Sequence, residues 1–103
     1  MENPVIIFGA SELGRAAVEI FESNDIIVYG FLDDKEELHG QTIGELAILG
    51  HTEDDGFLKL IGKKCEAFIA VDDRPLRKGL VELIKTRRKM MPVNAIHSNT
   101  EIA

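Results

Sequence analysis

Hydrophobic positions along the chain fall into two alternating regimes. Pro4-Val5-Ile6-Ile7-Phe8 is an unbroken apolar run of strand length that stops at Gly9, the pattern of a strand covered on both faces. From Leu13 the spacing changes: Leu13, Ala16, Ala17, Ile20 and Phe21 share one helical face, while Glu12, Arg15, Glu19 and Glu22 take the others. Ser23-Asn24-Asp25 is turn chemistry, and Ile26 to Leu32 predicts a second buried strand ending at Asp33-Asp34. Residues 35–44 are polar and glycine-containing and predict a loop, followed by a short strand at Ala47-Ile48-Leu49 that ends at Gly50. Glu53, Asp54 and Asp55 suit the positive end of a short helix whose apolar side is Phe57, Leu58 and Ile61. Glu66 to Val71 predicts another buried strand, again ending in two aspartates, Asp72-Asp73. Pro75 then fits the first turn of a helix carrying Leu76, Leu80, Leu83 and Ile84 through Lys89, and Pro92-Val93-Asn94-Ala95 predicts a last short strand.

Strands alternating with helices imply an α/β fold: a small Rossmann-like domain over residues 1–95, with a parallel sheet of about four to five strands. Right-handed crossovers then place helices on both faces. Ligands of such sheets bind outside the carboxyl ends of the strands. The candidate positions are therefore Gly9 to Arg15, Asp33-Asp34 and Val71 to Arg74.

Composition narrows the class. A chain of 103 residues suits one compact core, and no apolar run approaches the roughly 20 residues of a membrane span. Met1-Glu2-Asn3-Pro4 lacks the basic start of a signal peptide, so a cytoplasmic protein without a membrane partner is expected. A net charge of −6 argues against a nucleic-acid partner, since phosphate contacts need a positive surface. Seven of the twelve Lys and Arg nevertheless gather at Arg74, Arg77, Lys78, Lys85, Arg87, Arg88 and Lys89, which reads as a solvated helix face favoured by the C-terminal dipole. The single cysteine, Cys65, reads as structural. His39, His51 and His97 have neither metal-ligand nor catalytic spacing, and each reads as solvated or locally hydrogen-bonded.

The turn Gly9-Ala10-Ser11-Glu12-Leu13-Gly14 joins a strand to a helix, where glycines allow a sharp turn and helix N–H groups face an anion. Two of the three fingerprint glycines are present, Gly9 and Gly14. Ser11 takes the middle place, either donating its hydroxyl to a phosphate or capping the helix. Asp33 and Asp34 lie 19 and 20 residues beyond Gly14, where a carboxylate accepts from a ribose hydroxyl. Glu12 and Asp72 add negative charge near the expected phosphate, and Arg15 and Arg74 are the cations that sequence position suggests. Ser11 has no nucleophile-elbow pattern around it, and no complete catalytic set is present. The residues alone leave open a nucleotide ligand or a purely structural turn.

VIIFGASELGR, YGFLDD, AFIAVDDRPLRKGL and VNAIHSNTEIA together make the chain resemble the N-terminal domain of bacterial sugar acyltransferases, the family of sialic-acid O-acetyltransferases and the bacillosamine-pathway N-acetyltransferase. The family commonly has glycine at the positions of Glu12 and Asp72. The resemblance implies a domain that binds a nucleotide-sugar acceptor such as a UDP-sugar and is not catalytic by itself. A following left-handed β-helix of hexapeptide repeats would bind acetyl-CoA and supply the catalytic histidine, usually in a homotrimer; this domain itself would hold no cofactor. Residues 96–103 resemble the start of that β-helix, with Ile96 and Ile102 one hexapeptide step apart. By the same resemblance Gly9, Ser11 and Gly14 lie near the phosphates or sugar, and Asp33 and Asp34 near the nucleoside. His97 matches a junction histidine that is not catalytic. Two other readings stand beside it: an NAD(P)-binding module, and a scaffold or oligomerisation domain without a ligand.

Overall fold

The computed structural model describes residues 3–89 and 91–93. In chain order these form β1 (Val5–Phe8), α1 (Glu12–Ser23), β2 (Val28–Leu32), a turn of 3-10 helix (Glu36–Leu38), β3 (Thr42–Ile43), β4 (Leu46–Gly50), α2 (Asp55–Leu58), β5 (Glu66–Ile69) and α3 (Arg74–Arg88). The five strands make one sheet in the order β3-β4-β2-β1-β5. β1 pairs in parallel with β2 on one side and β5 on the other, and β2 pairs in parallel with β4.

Successive side chains of a strand point to opposite faces, so the unbroken apolar run of β1 feeds two cores at once. Val5 and Ile7 pack with Ala17 and Phe21 of α1, where the Phe21 and Phe68 rings meet edge-on at 5.5 Å. Ile6 and Phe8 pack on the other face with Leu58 of α2 and with Leu80 and Ile84 of α3. Helices therefore cover both faces, as the alternating pattern predicts. Burying a Phe or Ile side chain stabilises the fold by about 1.5–3 kcal/mol, and all four β1 side chains are buried.

Several boundaries shift by one or two residues, and three regions differ more from the sequence reading. Residues 35–44 are not a plain loop: they contain the 3-10 turn and the edge strand β3, which runs antiparallel to β4. Its two-residue hairpin is Gly44-Glu45, with Gly44 at φ 62°, a conformation glycine adopts without steric cost. The second strand starts at Val28 rather than Ile26, because Asp25 turns the chain at φ 61° and leaves Ile27 69% exposed. Pro92 and Val93 form no strand, although the Val93 N–H donates to the Ala67 carbonyl at 2.7 Å on the outer side of β5. Asn94 and Ala95 of the expected last strand, His97 and the hexapeptide-like tail lie outside the described residues.

Candidate functional site

From β1 the chain steps outward through β2 to β4, then returns to place β5 on the opposite side of β1. The direction of winding therefore reverses between β1 and β5, and their carboxyl ends open a crevice there. A cleft of about 420 Å³ occupies this position, lined by Gly9, Ser11, Asp33, Asp34, Lys35 and Asp72 along its polar side. Its walls continue over Thr52, Ala70, Val71, Leu76 and Leu80.

The turn beneath the cleft depends on its glycines. Gly9 has φ 114°, and a Cβ there would stand 2.4 Å from the Ala70 carbonyl oxygen, closer than any side chain tolerates. A Cβ on Gly14 would stand 2.3 Å from the Gly9 oxygen and 3.2 Å from the Phe31 ring, so Gly14 lets α1 seat directly on the turn and on β2. Gly14 is buried and lies under the turn, outside the cleft lining. Ser11 is the N-cap residue of α1 in extended conformation, and its hydroxyl makes no capping bond.

The aspartates at the end of β2 are committed to other loops. Asp33 accepts the Ala10 N–H on one carboxylate oxygen and the Lys35 N–H on the other, both at 2.9 Å, tying the glycine turn to the end of β2. Asp34 accepts the Thr52 N–H at 2.9 Å and faces the Thr52 hydroxyl at 2.9–3.0 Å. Thr52 is 5% exposed, the one buried polar side chain among the described residues. Beside this pair the rings of His39 and His51 meet edge-on at 4.5 Å. His39 Nε2 bonds the Asp33 carbonyl, and His51 Nδ1 stands 3.6 Å from Asp34. No three His, Cys, Asp or Glu among the described residues are placed to hold a metal ion.

Asp73 instead caps α3, accepting the Leu76 N–H at 3.0 Å, while Asp72 is exposed at the cleft. Arg15, Arg74 and Glu12 are exposed and do not line the cleft. Its lining cation is Lys35, which the sequence reading passed over although it directly follows Asp34 at a strand's carboxyl end. Thr52 was passed over as well. Its signal was a place two residues beyond Gly50, at the end of another parallel strand. Leu76 falls on the apolar stripe of its helix by spacing, yet it is 47% exposed in the cleft.

Away from the cleft, part of the basic cluster is structural: Arg87 pairs with Asp55 of α2, and Arg88 donates to the Ile61 and Lys59 carbonyls at 2.9 and 3.1 Å. Burial pushes the Cys65 thiol above its ordinary pKa, and the neighbouring Glu66 carboxylate adds to the shift. No helix among the described residues is long and apolar enough to cross a membrane.

The sequence pattern that defines the PglD N-terminal domain matches residues 4–84 of the chain. The chain belongs to the PglD N-terminal domain family. Several solved structures share the fold of this PglD-type domain. The acetyltransferase domain of PglB from Neisseria gonorrhoeae FA1090, in complex with acetyl coenzyme A, superposes with a TM-score of 0.63 at 14% identity, over 84% of this chain and 40% of that one. PerB from Caulobacter crescentus, in complex with CoA and GDP-perosamine, superposes with a TM-score of 0.63 at 19% identity, over 81% of this chain and 37% of that one. A point mutant of the perosamine N-acetyltransferase from the same organism gives a TM-score of 0.64, also at 19% identity, over 81% of this chain and 38% of that one. The chain thus spans about two fifths of the length of these proteins. No curated protein matches it in sequence.

Proposed function

We propose that this PglD-type domain holds the nucleotide-sugar acceptor of a sugar acetyltransferase and performs no catalysis by itself. The observation that carries the reading is the cleft at the reversal point of the sheet, floored by the Gly9 turn and opening beside the N-terminus of α1. A diphosphate there would meet the first-turn N–H groups of α1, the free Ser11 hydroxyl and the Lys35 ammonium. Gly9 lets it approach, Gly14 supports the turn from beneath by seating α1 against it, Arg15 and Arg74 add positive charge from outside the lining, and Asp33 and Asp34 flank the nucleoside. Asp72 lies against the phosphates or sugar. The complexes of the related folds with GDP-perosamine, CoA and acetyl coenzyme A support a nucleotide-sugar here and acetyl-CoA elsewhere in a longer parent protein. In that parent the acceptor domain works beside a hexapeptide β-helix, in a cytoplasmic homo-oligomer.

Thermal unfolding with a UDP-linked amino sugar tests the reading. Ligand at 100 times its Kd adds about 2.7 kcal/mol to stability and raises Tm accordingly. No shift at millimolar UDP- or GDP-linked sugar removes the proposal. A shift with NAD alone replaces it with a dinucleotide module.

A further inference from the structure

The fixed carboxylate of Asp34 and the exposed side chain of Leu76 line the cleft together, and they also line the groove that continues from it along α3. Thr52 supplies two donors to Asp34: its N–H to one oxygen, and its hydroxyl, which has one proton, to one oxygen at a time. A carboxylate has about four acceptor sites, so roughly two remain. His51 Nδ1 at 3.6 Å is beyond hydrogen-bond reach and takes neither. The Asp34 side chain is 56% exposed, so the remaining acceptors are open to a ligand. Asp33 receives as many donors, one backbone N–H on each oxygen, and differs in being half-buried where Asp34 is exposed.

A rigid acceptor beside an aliphatic shelf matches the two ways a planar heterocycle is held, by its edge and by its face. Building on the nucleotide-sugar reading above, we propose that the nucleobase lies against Leu76 and donates a ring N–H to Asp34, which Thr52 holds in position. The cleft then selects bases with a ring N–H beside a carbonyl. Uracil offers N3–H and guanine N1–H. Cytosine can donate its exocyclic amine to one oxygen, but it turns the lone pair of its ring N3 toward the carboxylate. Thr52 is a positioning residue in this arrangement, acting through Asp34.

Calorimetric titration of the 103-residue chain with UDP, GDP and CDP reads the selection directly. UDP and GDP should bind at least about tenfold more tightly than CDP, the effect of one hydrogen bond to a charged acceptor at a half-exposed site. Asp34→Asn, whose amide can donate to the cytosine ring nitrogen, should remove most of that preference. Thr52→Val should lower UDP affinity toward that of CDP, and Thr52→Ser should restore it, with Tm of the unliganded variants reporting the stability change separately. Leu76→Ala should weaken all three nucleotides alike. Equal wild-type affinities for UDP and CDP overturn the base assignment while leaving a nucleotide cleft in place. Retention of the full preference in Asp34→Asn also overturns it, and unchanged UDP affinity in Thr52→Val overturns the role of Thr52. A folded chain that binds none of the three removes the nucleotide reading itself.

Discussion

Asp33-Asp34 and Asp72-Asp73 are the same dipeptide in the same kind of place, the carboxyl end of a parallel strand, and they differ in their surroundings. β2 is an interior strand with β1 on one side and β4 on the other, so the turn after β1 and the loop after β4 both come within reach of its end. Asp33 ties down the first at Ala10, and Asp34 the second at Thr52. Among the described strands β5 pairs only with β1. Among the described residues its aspartates meet little beyond their own helix: Asp73 caps α3 and Asp72 is exposed at the cleft without a bonded partner. An identical pair of acids thus joins three loops in one place and serves one helix in the other. Strand order decides which.

Four substitutions test that contrast, the largest effect first. Asp33→Ala leaves the Ala10 and Lys35 N–H groups without their charged acceptor and should cost about 2–4 kcal/mol in urea denaturation. Asp34→Ala should cost about 1–3 kcal/mol. It should also be non-additive with Thr52→Val by about 1 kcal/mol in a double-mutant cycle, because the two side chains bond each other. Asp73→Ala removes an N-cap and should cost about 1 kcal/mol, visible as a lower Tm with the β2-end contacts untouched. Asp72→Asn should change stability by less than about 0.5 kcal/mol, as an exposed side chain with no bonded partner among the described residues does. It should tighten nucleotide binding most at low salt, where removing a carboxylate from the cleft counts for most. If Asp72→Asn destabilises the chain as much as Asp33→Ala, the contrast between the two pairs fails.

The same contrast marks what could be read from sequence. β1, β2, β5 and the apolar faces of α1 and α3 were legible because hydrophobic periodicity is a local signal that packing reinforces. β3 was not, because two residues, one exposed and one half-buried, carry no periodic pattern. Gly44-Glu45 was the available hairpin cue. At the cleft, topology pointed to Gly9 to Arg15, Asp33-Asp34 and Val71 to Arg74, since every parallel strand delivers its carboxyl end to one edge; of these Gly9, Ser11, Asp33, Asp34, Val71 and Asp72 line it, while Gly14, Arg15 and Arg74 do not. The division of work between the acids was not legible. It depends on Ala10 and Thr52, which reach Asp33 and Asp34 only after β2 has found its neighbours in the sheet. Lys35 and Leu76 illustrate a second limit: position along an element was clear for both, but which of them faces a crevice is a property of the assembled surface.

The placement of β5 carries a kinetic consequence. β1 and β2 are joined by one short helical crossover, whereas the pairing of β1 with β5, which aligns Val5 with Glu66, must close a loop containing most of the domain. Loop-closure entropy makes such distant contacts slow to form, so β5 and α3 are expected to dock last. The crevice does not exist until they do, because one of its walls is Ala70, Val71 and Leu76. A nucleotide bound there would therefore act on folding as a latch, slowing loss of the final unit far more than it speeds its arrival. Its imprint in hydrogen exchange would be strongest on β5 and the first turns of α3.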